Sequence, residues 1–277
     1  MISFQEAFGK RDFLLLTLDA LRYDVARDTL AAGRLPNLGA LLPNGFEPRH
    51  TPATFTFAAH QAFFAGFFPT PISPGPHLRP LALRFAGSRT TGPDTLLLEG
   101  SSLMAAYQQA GYRTICLGGT GFFNPGSPLG AVLPSLFEES HYSRETSVVS
   151  PLASRNQFRI ARERLQSLPK EQRVFLFINA AATHPPTKMF LKGASRESCE
   201  TQAAALMDLD RHLPVLLDVL CARGGAVGII CSDHGTCFGE DGDDGYIGHR
   251  LAHPQVWTVP YAEVELAGNF GTYGPVV

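Results

Sequence analysis

The sequence predicts an α/β fold of three layers, in which helices cover both faces of a mostly parallel central sheet. Four runs of apolar and β-branched residues recur along the 277-residue chain, each followed by a polar or glycine-rich turn: 13–18, 112–119, 173–180 and 225–232. Segments with helical periodicity lie between these runs. Uninterrupted apolar strands that alternate with helices are typical of parallel sheets, because such strands are buried on both faces.

Three stretches have helical patterns: 28–42, 94–111 and 197–225. The first is expected to break at Pro36, since proline cannot continue a helix. The second is expected to end at Gly111, because glycine is favoured just beyond helix C-termini. The third repeats Leu and Ala at three- and four-residue steps and stops at Gly224.

The chain is expected to form a single domain over residues 1–277, because no repeat, low-complexity tract or clear linker divides it. The segment 67–94 is rich in Pro and Gly and is expected to be an irregular excursion from this domain. The segment 120–150 is expected to be a second one.

Composition argues against several classes of partner. A formal charge of −2 and a pI near 6.5 provide no basic surface for nucleic acid or anionic lipid. The apolar run 13–18 is too short to span a bilayer, and the residues before it lack a signal-peptide pattern. Five cysteines, an odd number without a Cys-x-x-Cys pair, are typical of reduced thiols. We therefore expect a cytoplasmic protein without a nucleic-acid or membrane partner. The composition does not predict its oligomeric state.

Metal-capable side chains follow three of the predicted strands. Asp19 follows the first strand, Asn179 and His184 lie at the end of the third, and Asp233 and His234 follow the fourth. In an open parallel sheet, binding sites form outside the carboxyl ends of the strands. Taken singly, Asp19 could cap the next helix and His184 could be a turn residue. Together, the residues predict a site at one edge of the sheet.

A second unusual stretch is 51–69, which has the apolar character of a core helix that ends at Pro69. Burial explains its phenylalanines but not the hydroxyls of Thr51, Thr54 and Thr56, which come just before the helix. A helix N-terminus stabilises a bound or developing anion. A threonine hydroxyl is a poor nucleophile unless a metal or a base lowers its pKa, which a metal at the strand ends would do.

These motifs resemble the alkaline phosphatase superfamily, in its nucleotide pyrophosphatase/phosphodiesterase and sulfatase-like branch. "TFAAHQAFFAG" is similar to the nucleophile segment Thr-Phe-Pro-Asn-His-x-x-x-x-Thr-Gly, with Thr56, Phe57 and His60 in register. Further similar blocks follow the family's chain order: "LLTLDALRYD" with "LPNLGALL", "SSLMAAYQQAGYRTICLGG" and "IICSDHGTCFGEDGDDGYIGH". The resemblance covers residues 13 to about 260 and implies an alkaline-phosphatase-like fold.

The resemblance also implies two adjacent metal sites. Their ligands would be Asp19, Asp233, His234 and the Thr56 hydroxyl at one site, and His184 and His249 at the other. His253 is the alternative to His249 as the ligand at the second site. Imidazole and carboxylate ligands favour Zn²⁺, or alternatively Mn²⁺, over Ca²⁺, with one or two ions bound.

This chain departs from the family pattern at three points. Members with two full sites usually carry Asp at the position of Ala180, and Asn179 is near but out of register. Sulfatase-like members often pair two Asp after the first strand, whereas Ala20 follows Asp19 here. No cysteine lies in a Cys-x-Pro-x-Arg context, so the formylglycine nucleophile is excluded and the resemblance is to a short soluble member without that motif.

The function that the resemblance implies is metal-dependent hydrolysis of phosphate mono- or diesters, or of related sulfate or phosphonate esters, with Thr56 as nucleophile. Its partner would be a small phospho- or sulfo-ester. His60 and Arg22 are candidates to contact the substrate's non-bridging oxygens, although Arg22 could equally be a surface residue. The alternatives are a phospho-group transferase or mutase of the same superfamily, and a non-catalytic metal-binding relative, which Ala20 and Ala180 favour.

Dinucleotide binding is excluded for the Gly-rich stretch 117–126. Asn124 stands where the third glycine of that fingerprint belongs, and Pro125 interrupts the helix that the motif requires. The sequence also contains neither a P-loop nor a Gly-x-Ser-x-Gly elbow.

Overall fold

The computed structural model describes residues 3–66, 81–83, 96–98, 102–240 and 245–266. The strands are β1 Asp12–Leu18, β2 Glu47–His50, β3 Leu81–Leu83, β4 Leu96–Leu98, β5 Arg113–Leu117, β6 Glu139–His141, β7 Val174–Ala180, β8 Ala226–Cys231, β9 Cys237–Phe238, β10 Ile247–Gly248 and β11 Thr258–Leu266. The helices are α1 Phe4–Ala7, α2 Tyr23–Ala31, α3 Pro36–Leu41, α4 Thr56–Ala65, α5 Leu103–Gln109, α6 Ala153–Ser167, α7 Cys199–His212, α8 Pro214–Ala222 and α9 Pro254–Trp257.

The central sheet has the strand order β2-β11-β8-β1-β7-β5-β6. Neighbouring strands from β8 to β6 run parallel, and β11 joins the sheet antiparallel to both β8 and β2. The four strands predicted from the sequence form the parallel part of the sheet together with the short edge strand β6. The fold class is therefore confirmed.

Helices pack on both faces of this sheet, because successive side chains of a strand point to opposite sides. Leu14, Leu16 and Leu18 of β1 lie in a core with residues of α2, α3, α6, α7 and α8. Phe13 of the same strand lies in a second core, together with Phe177 and residues of α4 and α5. Burying each such side chain contributes about 1.5–3 kcal/mol. The three predicted layers are present.

Two predicted helices differ from the observed elements at prolines. The first helical stretch begins earlier than expected, with α2 at Tyr23. Pro36 is the first residue of α3, where a backbone N–H would have no hydrogen-bond partner within the helix, so proline costs nothing there. The third is divided in two, because Pro214 begins α8 directly after Leu213.

The prediction of one helix over 94–111 is wrong at its start. Residues Leu96–Leu98 form a strand that pairs in parallel with Leu81–Leu83. The helix begins only at Leu103, after Ser102, whose side chain accepts the Ala105 N–H. Its predicted end holds, with Gly111 at a φ of 82°.

The two predicted excursions differ in how much of them is described. Of 67–94, only Leu81–Leu83 lies within the described residues. The segment 120–150 contains short 3₁₀ turns and the edge strand β6. In the part of the chain that the structure describes, no helix has the length and apolarity needed to cross a bilayer.

A buried ion pair fixes the beginning of β1, the strand that leads to Asp19. The Arg223 guanidinium donates to the Asp12 carboxylate at 2.8 Å and also to the carbonyl oxygens of Leu165 and Gln172. Arg223 is 6% exposed and Asp12 is fully buried. One side chain therefore ties α8, the end of α6 and β1 together.

Replacing Arg223 with Ala should lower the free energy of unfolding by about 3 kcal/mol, because the buried Asp12 carboxylate loses its closer partner and keeps only Arg173, at 3.7 Å. Urea denaturation of both proteins measures the difference. The double variant Asp12→Asn/Arg223→Met should lose less than Arg223→Ala alone. Equal losses in the two variants would show that packing, not the uncompensated charge, is responsible.

Candidate metal centre

The site forms where β1 and β8 end side by side. These strands are parallel neighbours, with Thr17 opposite Cys231, so the residues that follow them meet at the same edge of the sheet. Asp19, Asp233 and His234 each place one ligand atom within 4.8 Å of the others. All three side chains are fully buried. The structure thus brings together the three residues that the sequence places after these two strands.

Thr56 faces this cluster from the N-terminus of α4. Its hydroxyl oxygen lies 3.4 and 3.5 Å from the carboxylate oxygens of Asp19 and 3.2 Å from Nε2 of His234. As the first residue of a ten-residue helix, it sits where the exposed N–H groups and the helix dipole favour negative charge. This environment suits a hydroxyl that must become an anion.

Backbone carbonyls fix the tautomers of two histidines. Nδ1 of His234 lies 2.8 Å from the Gly235 carbonyl oxygen, and Nδ1 of His184 lies 2.5 Å from that of Pro185. A carbonyl oxygen only accepts, so each Nδ1 carries the proton and donates it. Each Nε2 therefore presents a lone pair, which is the state that binds a metal.

His249 completes a group of three imidazoles. Its ring centroid lies 4.4 Å from that of His234 and 5.4 Å from that of His184. His184 and His249 are half-buried and form the open side of the site. The rival His253 is the N-cap of α9 instead, with Nδ1 accepting the Gln255 N–H at 3.1 Å. The geometry places His249, not His253, beside the predicted ligands.

The electrostatics of the cluster fit a divalent cation. Burial raises the pKa of Asp233 to about 7, and burial together with the neighbouring Asp233 raises the pKa of Asp19 to about 6. Burial lowers the pKa of His234 to about 4 and that of His249 to about 3. Oδ2 of Asp233 is buried without a hydrogen-bond partner. Two buried carboxylates, one of which has an unpartnered oxygen, and a lone-pair nitrogen are a donor set that suits Zn²⁺ or Mn²⁺.

Asn179 orients the Asp19 side chain and does not present its amide oxygen to a metal. Its side-chain oxygen accepts the N–H groups of Gly119 and Thr120, which fixes the amide orientation. Its Nδ2 consequently donates to Oδ2 of Asp19 at 2.7 Å. With Ala180 buried beside it, the end of this strand supplies no carboxylate to a second metal.

Ala20 links the two aspartates through its backbone. It adopts a left-handed conformation with φ of 59°, and its N–H donates to Oδ1 of Asp233 at 3.1 Å. The buried Gln202 on α7 holds this turn by donating to the Ala20 carbonyl oxygen at 2.8 Å. Nothing in the local sequence pattern points to Gln202, because it lies 182 positions from Ala20.

His60 lies behind Thr56 and does not face the open side of the site. Its Nδ1 donates to the Thr56 carbonyl oxygen at 2.7 Å, and its Nε2 accepts the Thr17 hydroxyl at 3.1 Å. It is fully buried, and burial lowers its pKa to about 3. The surrounding rings are those of Phe63, Phe64, Phe123 and Phe177, with centroids 5.3–5.8 Å away. Contact with a substrate oxygen, which the sequence suggested, is therefore not supported; His60 positions the start of α4.

The Arg22 side chain binds two carboxylates outside the metal centre. Its guanidinium donates to both carboxylate oxygens of Asp24, at 2.8 and 2.6 Å, and to Glu240. Only 3% of its side chain is exposed, so it is neither the expected substrate contact nor a surface residue. It joins the start of α2 to the residues that follow β9. Glu240 is its partner there.

Zinc should stabilise this protein more at pH 8 than at pH 5.5. Without metal, the folded pKa values of Asp19 and Asp233 exceed their ordinary value of 3.8. The two carboxyl groups therefore stabilise the metal-free fold in their protonated form. This stabilisation is complete below about pH 3.8 and is lost as the pH rises through 6 and 7. Zn²⁺ binds the ionised carboxylates and reverses that loss.

At pH 8, Zn²⁺ at 100 times its Kd should raise the Tm by about 5 °C for a chain of this length. Differential scanning fluorimetry with and without ZnCl₂ measures the shift. Asp19→Asn/Asp233→Asn is the matched control and should show no zinc-dependent shift at either pH. A shift as large in that variant as in the wild type would place the bound zinc elsewhere.

Comparison with known proteins gives structural matches without sequence matches. No family model and no curated protein sequence matches the chain. The C-terminal periplasmic domain of EptC from Escherichia coli, in complex with Zn, is similar with a TM-score of 0.63 at 14% identity, over 93% of this chain and 73% of that one.

Two further structures are similar. Lipooligosaccharide phosphoethanolamine transferase A from Neisseria meningitidis, an integral membrane protein, has a TM-score of 0.61 at 15% identity, over 93% of this chain and 48% of that one. An alkaline phosphatase superfamily protein from Vibrio parahaemolyticus has a TM-score of 0.56 at 15% identity, over 94% and 61%. At these identities the likeness concerns the fold: the chain has the alkaline-phosphatase-like fold that its motifs predict.

Proposed function

We propose that this protein is a metal-dependent enzyme that transfers a phospho group from a phosphate ester to an acceptor alcohol through Thr56. The observation that carries the proposal is the position of the Thr56 hydroxyl, at a helix N-terminus and 3.2–3.5 Å from Asp19 and His234. No other hydroxyl among the described residues contacts both an aspartate side chain and the His234 ring of this centre.

The similar structures support transfer over hydrolysis. The sequence motifs favoured a hydrolase, with a transferase or mutase as the alternative. One similar structure is a phosphoethanolamine transferase, and another is a zinc complex. We therefore prefer the alternative, with Zn²⁺ as the favoured ion and Mn²⁺ as the second choice.

Asp19, Asp233 and His234 would hold the metal, with Thr56 as the fourth group. When bound, the ion lowers the pKa of the Thr56 hydroxyl and neutralises charge on the phosphoryl oxygens. The half-buried rings of His184 and His249 face the side from which a substrate enters.

In the first step, the Thr56 oxygen attacks the phosphorus in line as its proton passes to solvent. The bond from phosphorus to the leaving oxygen breaks, and the leaving alcohol takes up a proton. In the second step, an acceptor hydroxyl attacks the phosphothreonine, its proton is released, and the bond from phosphorus to the Thr56 oxygen breaks. The Thr56 oxygen takes up a proton and returns to its starting state, so no net proton is gained or lost.

Thr56→Ala should lower turnover of bis(p-nitrophenyl) phosphate by about 10³-fold or more, since the nucleophile is lost. Thr56→Ser should keep part of the activity, because it retains a hydroxyl. Steady-state assay of zinc-loaded proteins measures both. The zinc-dependent rise in Tm serves as the control for folding and metal binding. Undiminished turnover in Thr56→Ala would remove Thr56 from the mechanism.

Transfer is separated from hydrolysis by product analysis in the presence of an added alcohol such as glycerol. A transferase should form more of the phosphorylated alcohol than the molar ratio of alcohol to water predicts. Intact mass spectrometry should show a phospho adduct on the protein. Thr56→Ser should retain this adduct and Thr56→Ala should lose it. Products in proportion to the solvent ratio would support the hydrolase.

A further inference from the structure

Arg250 follows His249 directly and is tied to the segment that carries the nucleophile. Its backbone N–H donates to the Thr54 carbonyl oxygen at 2.9 Å. Its guanidinium carbon lies 5.6 Å from the centroid of the Phe55 ring. Thr54 and Phe55 are the two residues before Thr56, so these contacts hold Arg250 next to the start of α4.

The backbone of Arg250 is strained to reach this position. Its φ is 78°, a left-handed conformation that costs a residue with a Cβ about 1–2 kcal/mol. Of the non-glycine residues that the structure describes, only Ala20 and Arg250 have positive φ. Ala20 lies inside the metal centre, and strain of this kind concentrates at functional sites.

The guanidinium of Arg250 is available to a ligand. The residue is exposed, and within the described ranges no carboxylate forms an ion pair with it. Stacking on Phe55 holds the plane of the guanidinium while leaving its edge donors free. Arg22 and Arg223, in contrast, are buried and paired with aspartates.

The charge of Arg250 also reaches the metal centre. Arg250 directly follows His249, whose ring centroid lies 4.4 Å from that of His234. One divalent cation would balance Asp19 and Asp233, leaving a neutral centre. An additional positive charge would then be needed to attract an anionic substrate.

We propose that Arg250 is a substrate-binding residue whose guanidinium donates to a non-bridging oxygen of the phosphate ester attacked by Thr56. The inference rests on the proposed function and extends it. With a single bound metal, Arg250 gives the centre one net positive charge. That charge matches the single negative charge of a phosphodiester and leaves a dianionic monoester under-compensated, so the diester is the preferred class.

The test uses Arg250→Gly, because glycine adopts the left-handed backbone without strain. The variant should fold and should keep its zinc-dependent rise in Tm. Its kcat/KM for bis(p-nitrophenyl) phosphate should fall about 10- to 100-fold, the range expected for a charge-assisted hydrogen bond. Arg250→Lys should recover part of this loss through its charge.

A matched control is Arg49→Gly. Arg49 is another exposed arginine stacked on an aromatic ring, with its guanidinium carbon 5.2 Å from the Tyr261 centroid, but it lies on β2 and pairs with Glu47. This control should keep wild-type kcat/KM. A loss equal to that of Arg250→Gly would overturn the assignment, because it would show a general effect of surface charge.

A binding measurement separates this inference from the proposed function. Isothermal titration of zinc-loaded protein with inorganic phosphate should show about 10- to 100-fold weaker binding in Arg250→Gly. Wild-type phosphate affinity in that variant overturns the role of Arg250, whatever the activity. Turnover that survives Thr56→Ala, together with the weaker phosphate binding, overturns the proposed chemistry but leaves Arg250 as the anion-binding residue.

Discussion

The rest of the structure depends on two carboxylates, Asp19 and Asp233, that are fully buried side by side. Ionised carboxylates in a low-dielectric interior repel each other and lose their hydration, which costs several kcal/mol for each ion. No lysine or arginine among the described residues pairs with either of them. A divalent cation is the group that makes this arrangement favourable at neutral pH. The site is therefore built around a charge that the protein itself does not supply.

The groups that hydrogen-bond to these ligands hold them in place and add no positive charge. Asn179 donates to Asp19, the Ala20 N–H donates to Asp233, and a backbone carbonyl orients His234. All these partners are neutral. Such groups set the direction of each ligand while leaving the negative charge for the metal to balance. The nucleophile is fixed in the same way, since neutral His60 binds the carbonyl of Thr56 from the buried side.

The sequence could predict the groups whose positions follow from where strands and helices end. Asp19, Asp233 and His234 follow adjacent parallel strands, and Thr56 begins a helix, so topology alone brings them together. It could not predict Gln202 or the orientation of the Asn179 amide, because these depend on contacts between residues that are distant in the chain. Arg22 was misjudged for the same reason: its partner Glu240 lies 218 residues away. The strands β2 and β11 were missed because β2 is short and each of the two contains a proline, Pro48 and Pro260.

The same charge argument distinguishes the two metal sites that the sequence predicts. His184 and His249 would offer neutral nitrogens to a second ion, and at the end of β7 the side chains present are Ala180 and the amide nitrogen of Asn179. In the described part of the chain, a second divalent cation would therefore add two positive charges without a carboxylate of its own. That arrangement is favourable only when an anionic substrate is present. A cation beside the two imidazoles would therefore depend on a bound anion, whereas Asp19 and Asp233 supply their own carboxylates to the first site.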